Sequence, residues 1–122
     1  MLKKCKYTEV IRSKKALIVC PSSLLFHWEK EVYKWLGKDR IKLLICQGDN
    51  LTNSLDLFKN GKYNCMVISY DTFRIRGSAL NDVVDLLICD EGHKIKNRNI
   101  KTSKALNDLK TNRRIILTGT PI

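Results

Sequence analysis

The run Leu86-Leu87-Ile88-Cys89 leads without a break into Asp90 and Glu91, followed by Gly92 and His93. A short, wholly apolar run with β-branched content predicts a strand buried on both faces, as in a parallel α/β sheet. Ligands of such sheets sit at the carboxyl ends of the strands, which is where Asp90 and Glu91 fall. Two acids at that position are costly to bury unless they meet a cation or a proton-transfer task. A hydrated Mg²⁺ with a nucleotide phosphate supplies both, one carboxylate holding the metal and its neighbour orienting an attacking water. The same residues also suit a solvated strand-to-loop junction, where Asp, Glu and Gly are common.

The rest of the chain repeats the pattern of apolar run, polar turn and helical spacing. Ala16-Leu17-Ile18-Val19-Cys20 predicts a strand that Pro21-Ser22-Ser23 stops, with a serine as helix N-cap. Leu24, Leu25, Trp28, Val32, Trp35 and Leu36 recur at helical spacing, which predicts an amphipathic helix over 23–36 ended by Gly37. Both tryptophans are expected to pack that helix on the sheet rather than to stack on bases. Residues 42–46 predict a second strand and 51–59 a short helix with Leu55 and Phe58 inward. After the Asn60-Gly61 turn, 64–69 predict a third strand, with Asp71 capping a brief helix. Residues 86–89 are the fourth strand, 101–110 a helix with Ala105, Leu106 and Leu109 on one face, and 114–117 the fifth strand. Strands separated by helices argue for an α/β fold, a parallel sheet covered on both sides.

At 122 residues the chain suffices for one small domain, and 43% hydrophobic residues make it globular rather than disordered. No apolar run approaches membrane-spanning length, and the basic start lacks the apolar stretch of a signal peptide. Twenty-three Lys and Arg against twelve Asp and Glu give a net charge of +11, which favours an anionic partner, nucleic acid before membrane. The five cysteines include no C-x-x-C pair, and four lie in the apolar runs, so they predict buried free thiols in a reducing compartment. Residues 1–15 predict a basic connector ahead of the domain at 16–122.

Polar clusters follow four of the strands: Pro21-Ser22-Ser23, Ser69-Tyr70-Asp71-Thr72, Asp90-Glu91-Gly92-His93 and Thr118-Gly119-Thr120. Each alone is a turn; a shared edge lined with hydroxyls, acids and a histidine suits a phosphate-handling crevice. Together these residues strongly resemble the first motor lobe of Swi/Snf-type helicase superfamily 2 ATPases. Residues 16–24, with Trp28 downstream, resemble motif Ia, and Val67 to Arg74 resemble motif Ib. Asp90 to Asn97 matches a DEAH-type motif II with its lysine-asparagine tail, and Leu117 to Ile122 matches motif III. Gly92, where alanine is commoner, is similar to the homologous-recombination DNA translocases.

The resemblance implies a RecA-like (P-loop NTPase) three-layer sandwich with a mainly parallel sheet. It implies an ATP- and Mg²⁺-dependent motor on double-stranded DNA, nuclear, with recombinase or chromatin proteins as partners. By the family pattern Asp90 holds Mg²⁺ through water and Glu91 polarises the attacking water. His93, which outside the motif would read as an ordinary loop histidine, couples hydrolysis to lobe movement. Thr118, Gly119 and Thr120 take part at the nucleotide, and Ser22, Ser23, Ser69 and Thr72 approach the DNA backbone. Lys94 and Lys96, in a stretch 94–104 rich in Lys and Arg, are expected to face phosphate rather than merely solvent.

The departures are equally specific. No G-x-x-x-x-G-K-[ST] loop occurs within these residues, so the triphosphate lacks its amide cradle and lysine here, and residues 1–122 do not include a second lobe. The expectation is therefore an incomplete lobe, a piece of a larger protein that alone neither hydrolyses ATP nor translocates. A chromatin-remodelling ATPase fragment and a non-catalytic DNA-binding remnant are the alternatives. A metallohydrolase using Cys89, Asp90 and His93 has too few ligands.

Overall fold

The computed structural model describes residues 15–37, 41–47, 51–90, 109, 111 and 113–117. Five strands are described: β1 (Ala16–Cys20), β2 (Leu43–Cys46), β3 (Cys65–Ser69), β4 (Leu86–Asp90) and β5 (Arg114–Leu117). All pairings are parallel, in the order β2-β3-β1-β4-β5. Parallel neighbours need crossovers, which here include the helices α1 (Leu25–Leu36), α2 (Leu51–Lys59) and α3 (Tyr70–Arg76).

The pleat divides each strand between two apolar layers. Ala16, Ile18 and Cys20 of β1, Val67 of β3 and Ile88 of β4 pack under Leu25, Trp28, Val32 and Leu36 of α1. Leu17, Val19, Met66, Ile68, Leu87 and Cys89 point the other way, against Leu55 and Phe58 of α2 and Tyr70 and Phe73 of α3. The result is the three-layer arrangement expected, with β1, β3 and β4 buried along their whole length. Each fully buried aliphatic or aromatic side chain contributes about 1.5–3 kcal/mol. Leu109, within the helix expected over 101–110, is buried in the second layer but is not itself helical; 101–108 and 110 lie outside the described residues. So does the connector, apart from Lys15.

Several boundaries differ from expectation for local reasons. Residues Ser22–Leu24 form a 3₁₀ turn, closed by Leu24 N–H donating to the Pro21 carbonyl at 2.9 Å, and α1 starts only after it. Neither serine caps the helix; the N-cap position is Leu24, with no side-chain hydrogen bond. Gly37 does end α1, at φ +78°, a left-handed conformation that a side chain would strain. Ser69, not Asp71, caps α3, because its extended backbone (φ −78°, ψ 157°) aims the hydroxyl at Thr72 N–H. Asp71 instead sits in the first turn and pairs with Arg74 at 3.6 Å on the surface. At Gly77, which follows α3, a Cβ would come within 2.7 Å of the Phe73 ring, so the close approach requires glycine. Trp35 does not pack on the sheet. It lies on the shoulder of the stripe centred on Trp28, Val32 and Leu36, is 48% exposed, and donates its indole N–H to Glu31 at 3.1 Å.

Cys20, Cys46, Cys65 and Cys89 are free and buried. Burial pushes the thiol pKa from 9.0 to about 12 at Cys20, Cys65 and Cys89 and to about 11 at Cys46. The negative charge of Asp90 adds to the effect at Cys20, and the Arg114 cation opposes it at Cys89. A raised folded-state pKa means the native state keeps a proton that the unfolded state gives up. The stability these thiols contribute is thus present below pH 9 and drains away as pH climbs toward 12, by at most about 1.4 kcal/mol per thiol per pH unit. The urea midpoint should therefore fall across that window, with a shallower slope in Cys65→Ala than in the parent chain.

Candidate functional site

The sheet register sets the site. Cys20 pairs with Ser69, and Asp90 pairs with Leu117, while Val19 opposite Cys89 brings Cys20 level with Asp90. The carboxyl ends of β1, β3, β4 and β5 therefore share one rim, the edge where parallel sheets bind ligands.

Asp90 is the last residue of β4 and is wholly buried. Pleat parity puts its side chain on the same side as Leu86 and Ile88, facing α1. There the Trp28 indole N–H donates to Asp90 Oδ2 at 2.9 Å. From the opposite layer the Tyr70 hydroxyl donates to the Asp90 backbone carbonyl at 2.7 Å. A buried carboxylate without a donor would cost several kcal/mol, so the indole is part of what makes this position tenable. The carboxylate is thereby held in one orientation, with a charge-assisted bond of the stronger kind.

Hydroxyls cluster on this rim beside β1 and β3. Ser22 and Ser23 are exposed on the 3₁₀ turn after β1. Ser69, at the end of β3, is buried; its Oγ accepts from Thr72 N–H at 3.2 Å and donates to Thr72 Oγ1 at 3.0 Å. Thr72 is partly exposed on the first turn of α3. Five of the expected site residues, Ser22, Ser23, Ser69, Thr72 and Asp90, thus share one rim. Glu91, His93, Lys94, Lys96, Thr118, Gly119 and Thr120 lie outside the described residues.

Sequence reasoning did not anticipate the two aromatic contacts to Asp90. Parity along β4 and the position of Trp28 one turn into α1 would have put both on the same face, but their meeting requires the angle at which α1 crosses the sheet. Tyr70 carried only the weak clue of directly following β3.

The SNF2-related domain family model matches residues 1–122. Human DNA repair and recombination protein RAD54B is 47% identical over 110 residues, which cover 89% of this chain and 12% of that protein. Protein CHROMATIN REMODELING 25 of Arabidopsis thaliana is 42% identical, covering 89% of the chain and 13% of that protein. The chain thus spans about an eighth of the length of these relatives. Among solved structures, the Sulfolobus solfataricus SWI2/SNF2 ATPase core in complex with dsDNA superposes with a TM-score of 0.74 at 28% identity, over 97% of this chain and 24% of that one. The Pyrococcus furiosus Hef helicase domain shares the fold at TM-score 0.60 and 24% identity, over 96% of this chain and 25% of that one. A parallel α/β lobe of RecA-like form, with its acid at the rim and its motifs in family order, therefore belongs to the SNF2-related family, among its Rad54-type members.

Proposed function

We propose that this chain is part of the first motor lobe of an ATP-dependent double-stranded-DNA translocase of the Swi/Snf type, acting in recombinational DNA repair. The observation that carries the proposal is the wholly buried Asp90 at the carboxyl end of β4, level with the ends of β1, which leads into Ser22 and Ser23, and β3, which closes on Ser69. Support for the repair role comes from the 47% identity to a relative named for DNA repair and recombination. The relative named for chromatin remodelling supports a remodelling motor as the second reading. In either case the working location is the nucleus, residues 1–15 are a connector, and 16–122 form the partial lobe.

The donor set suits Mg²⁺: Asp90 offers hard carboxylate oxygens, one of them already fixed by an indole N–H, at a strand end where phosphate oxygens can complete the shell. Mg²⁺, when bound with ATP, would neutralise charge on the transferred phosphoryl group. In this reading Asp90 holds the hydrated metal and Glu91 orients the attacking water. His93 and the segment Thr118, Gly119 and Thr120 sense the nucleotide state. Ser22, Ser23 and Thr72, with Lys94 and Lys96, contact DNA phosphates without reading sequence. Ser69 contributes by capping α3 and so presenting Thr72.

The 122-residue chain has no phosphate loop in its sequence and is expected to bind duplex DNA but not to turn over ATP. Fluorescence anisotropy with a labelled duplex at several salt concentrations tests the binding. The logarithm of affinity should fall with the logarithm of salt by about one unit of slope per phosphate contact, and Lys94→Ala or Lys96→Ala should each remove about one. Salt-independent binding, or duplex-stimulated hydrolysis by the 122-residue chain, would contradict the proposal.

A further inference from the structure

We infer that Trp28 and Tyr70 are positioning residues through which the two DNA-facing loops set the placement of Asp90, so that duplex binding raises turnover; this rests on the function proposed above. The geometry has three parts. Asp90 is gripped from both layers of the fold, its carboxylate by the Trp28 indole from the α1 side and its backbone carbonyl by the Tyr70 hydroxyl from the α3 side. Both aromatic residues are buried, Trp28 completely, so each ring moves with its helix rather than independently of it. And each stands directly behind a polar loop of the rim. Trp28 lies five residues after Ser23, in the first turns of α1, and Tyr70 is flanked by Ser69 and, two residues on, Thr72.

A phosphate drawn onto Ser22 and Ser23 loads the start of α1, and one drawn onto Thr72 loads the start of α3. The first load reaches the Asp90 carboxylate through the Trp28 indole, and the second reaches the Asp90 backbone carbonyl through the Tyr70 hydroxyl. Carboxylates that hold a metal depend on such supporting donors for their orientation, and loss of one typically costs about 10- to 100-fold in metal affinity or activity. The two bonds therefore make the rim loops and the acid one mechanical unit, which is a route from DNA contact to hydrolysis within this lobe.

The test uses the longer protein that contains this segment, comparing wild type with Tyr70→Phe, which removes only a hydroxyl, and Trp28→Phe, which keeps an aromatic ring without the N–H. Turnover is measured with and without duplex DNA at saturating ATP, together with the half-saturating Mg²⁺ concentration and duplex affinity. The expected result is unchanged duplex affinity, a fall of about 10-fold or more in duplex-stimulated kcat with a smaller fall in DNA-free turnover, and a raised Mg²⁺ requirement. A merely structural role would lower both rates by the same factor and leave the Mg²⁺ dependence alone; that result, or wild-type stimulation, overturns the inference. If Trp28→Phe fails to fold, Tyr70→Phe decides by the same ratio. A wild-type protein with no duplex-stimulated turnover would refute the proposed function and the inference with it, whereas stimulated wild type with indifferent variants refutes the inference alone.

Discussion

Trp28→Ala is expected to lower the unfolding free energy of the chain by about 3–5 kcal/mol, the range for truncating a large aromatic in a packed core. Trp28 is wholly buried among Ile18, Cys20, Val67 and Ile88, between the sheet and α1, so its removal leaves a cavity that β-strands cannot collapse into. The loss also takes the indole donor from the buried carboxylate of Asp90, and a charged group deprived of a buried hydrogen bond adds to the cost. Against a total stability of about 5–15 kcal/mol for a typical domain, that is enough to unfold a large share of the molecules. Trp35→Ala, at a half-exposed position on the same helix, should change stability by only about 0.5 kcal/mol. Urea unfolding followed by circular dichroism separates the two; equal small effects would mean that Trp28 is not the keystone of the α1 layer.

The second large effect concerns hydrolysis. Glu91→Gln in the longer protein should cut duplex-stimulated turnover by about 10²- to 10⁴-fold while leaving duplex affinity intact, as loss of a positioned general base does. The substitution keeps size and hydrogen-bonding reach but removes the charge that would polarise the attacking water. Asp90→Asn should behave differently: its amide oxygen still accepts from Trp28, so the fold survives, but the half-saturating Mg²⁺ concentration rises. A Glu91→Gln protein that still hydrolyses ATP at the wild-type rate would move the base elsewhere on the rim. A Mg²⁺ requirement unmoved in Asp90→Asn would deny the acid its metal.

The contrast between these residues shows where linear information stops. The runs 16–20, 64–69 and 86–89 were readable as strands because each has an apolar, β-branched centre between turn or polar residues, which has few other places to go. Leu51–Lys59 and Gly37 were readable for the same local reason, helical spacing in one case and a left-handed stop in the other. Capping was less legible. Ser22, Ser23 and Asp71 are all good capping types, yet the chain uses Ser69, because a cap depends on backbone angles that neighbouring packing sets. Trp35 failed for a similar reason: spacing alone puts it near the stripe, and only the line along which α1 meets the sheet decides that it stays half in water.

From the amino-acid sequence alone came the parallel α/β plan, an acid, Asp90, at a strand end, the basic charge and the order of motifs. These rest on short-range periodicity and residue chemistry, which act before the chain has any shape. The tertiary structure alone decided which side chains reach Asp90, since that depends on strand parity in β4, the crossing of α1 and the placing of α3 acting together. Trp28 and Tyr70 lie 62 and 20 residues from Asp90 along the chain, and only the parallel register that levels three strand ends brings them to one carboxylate and its backbone.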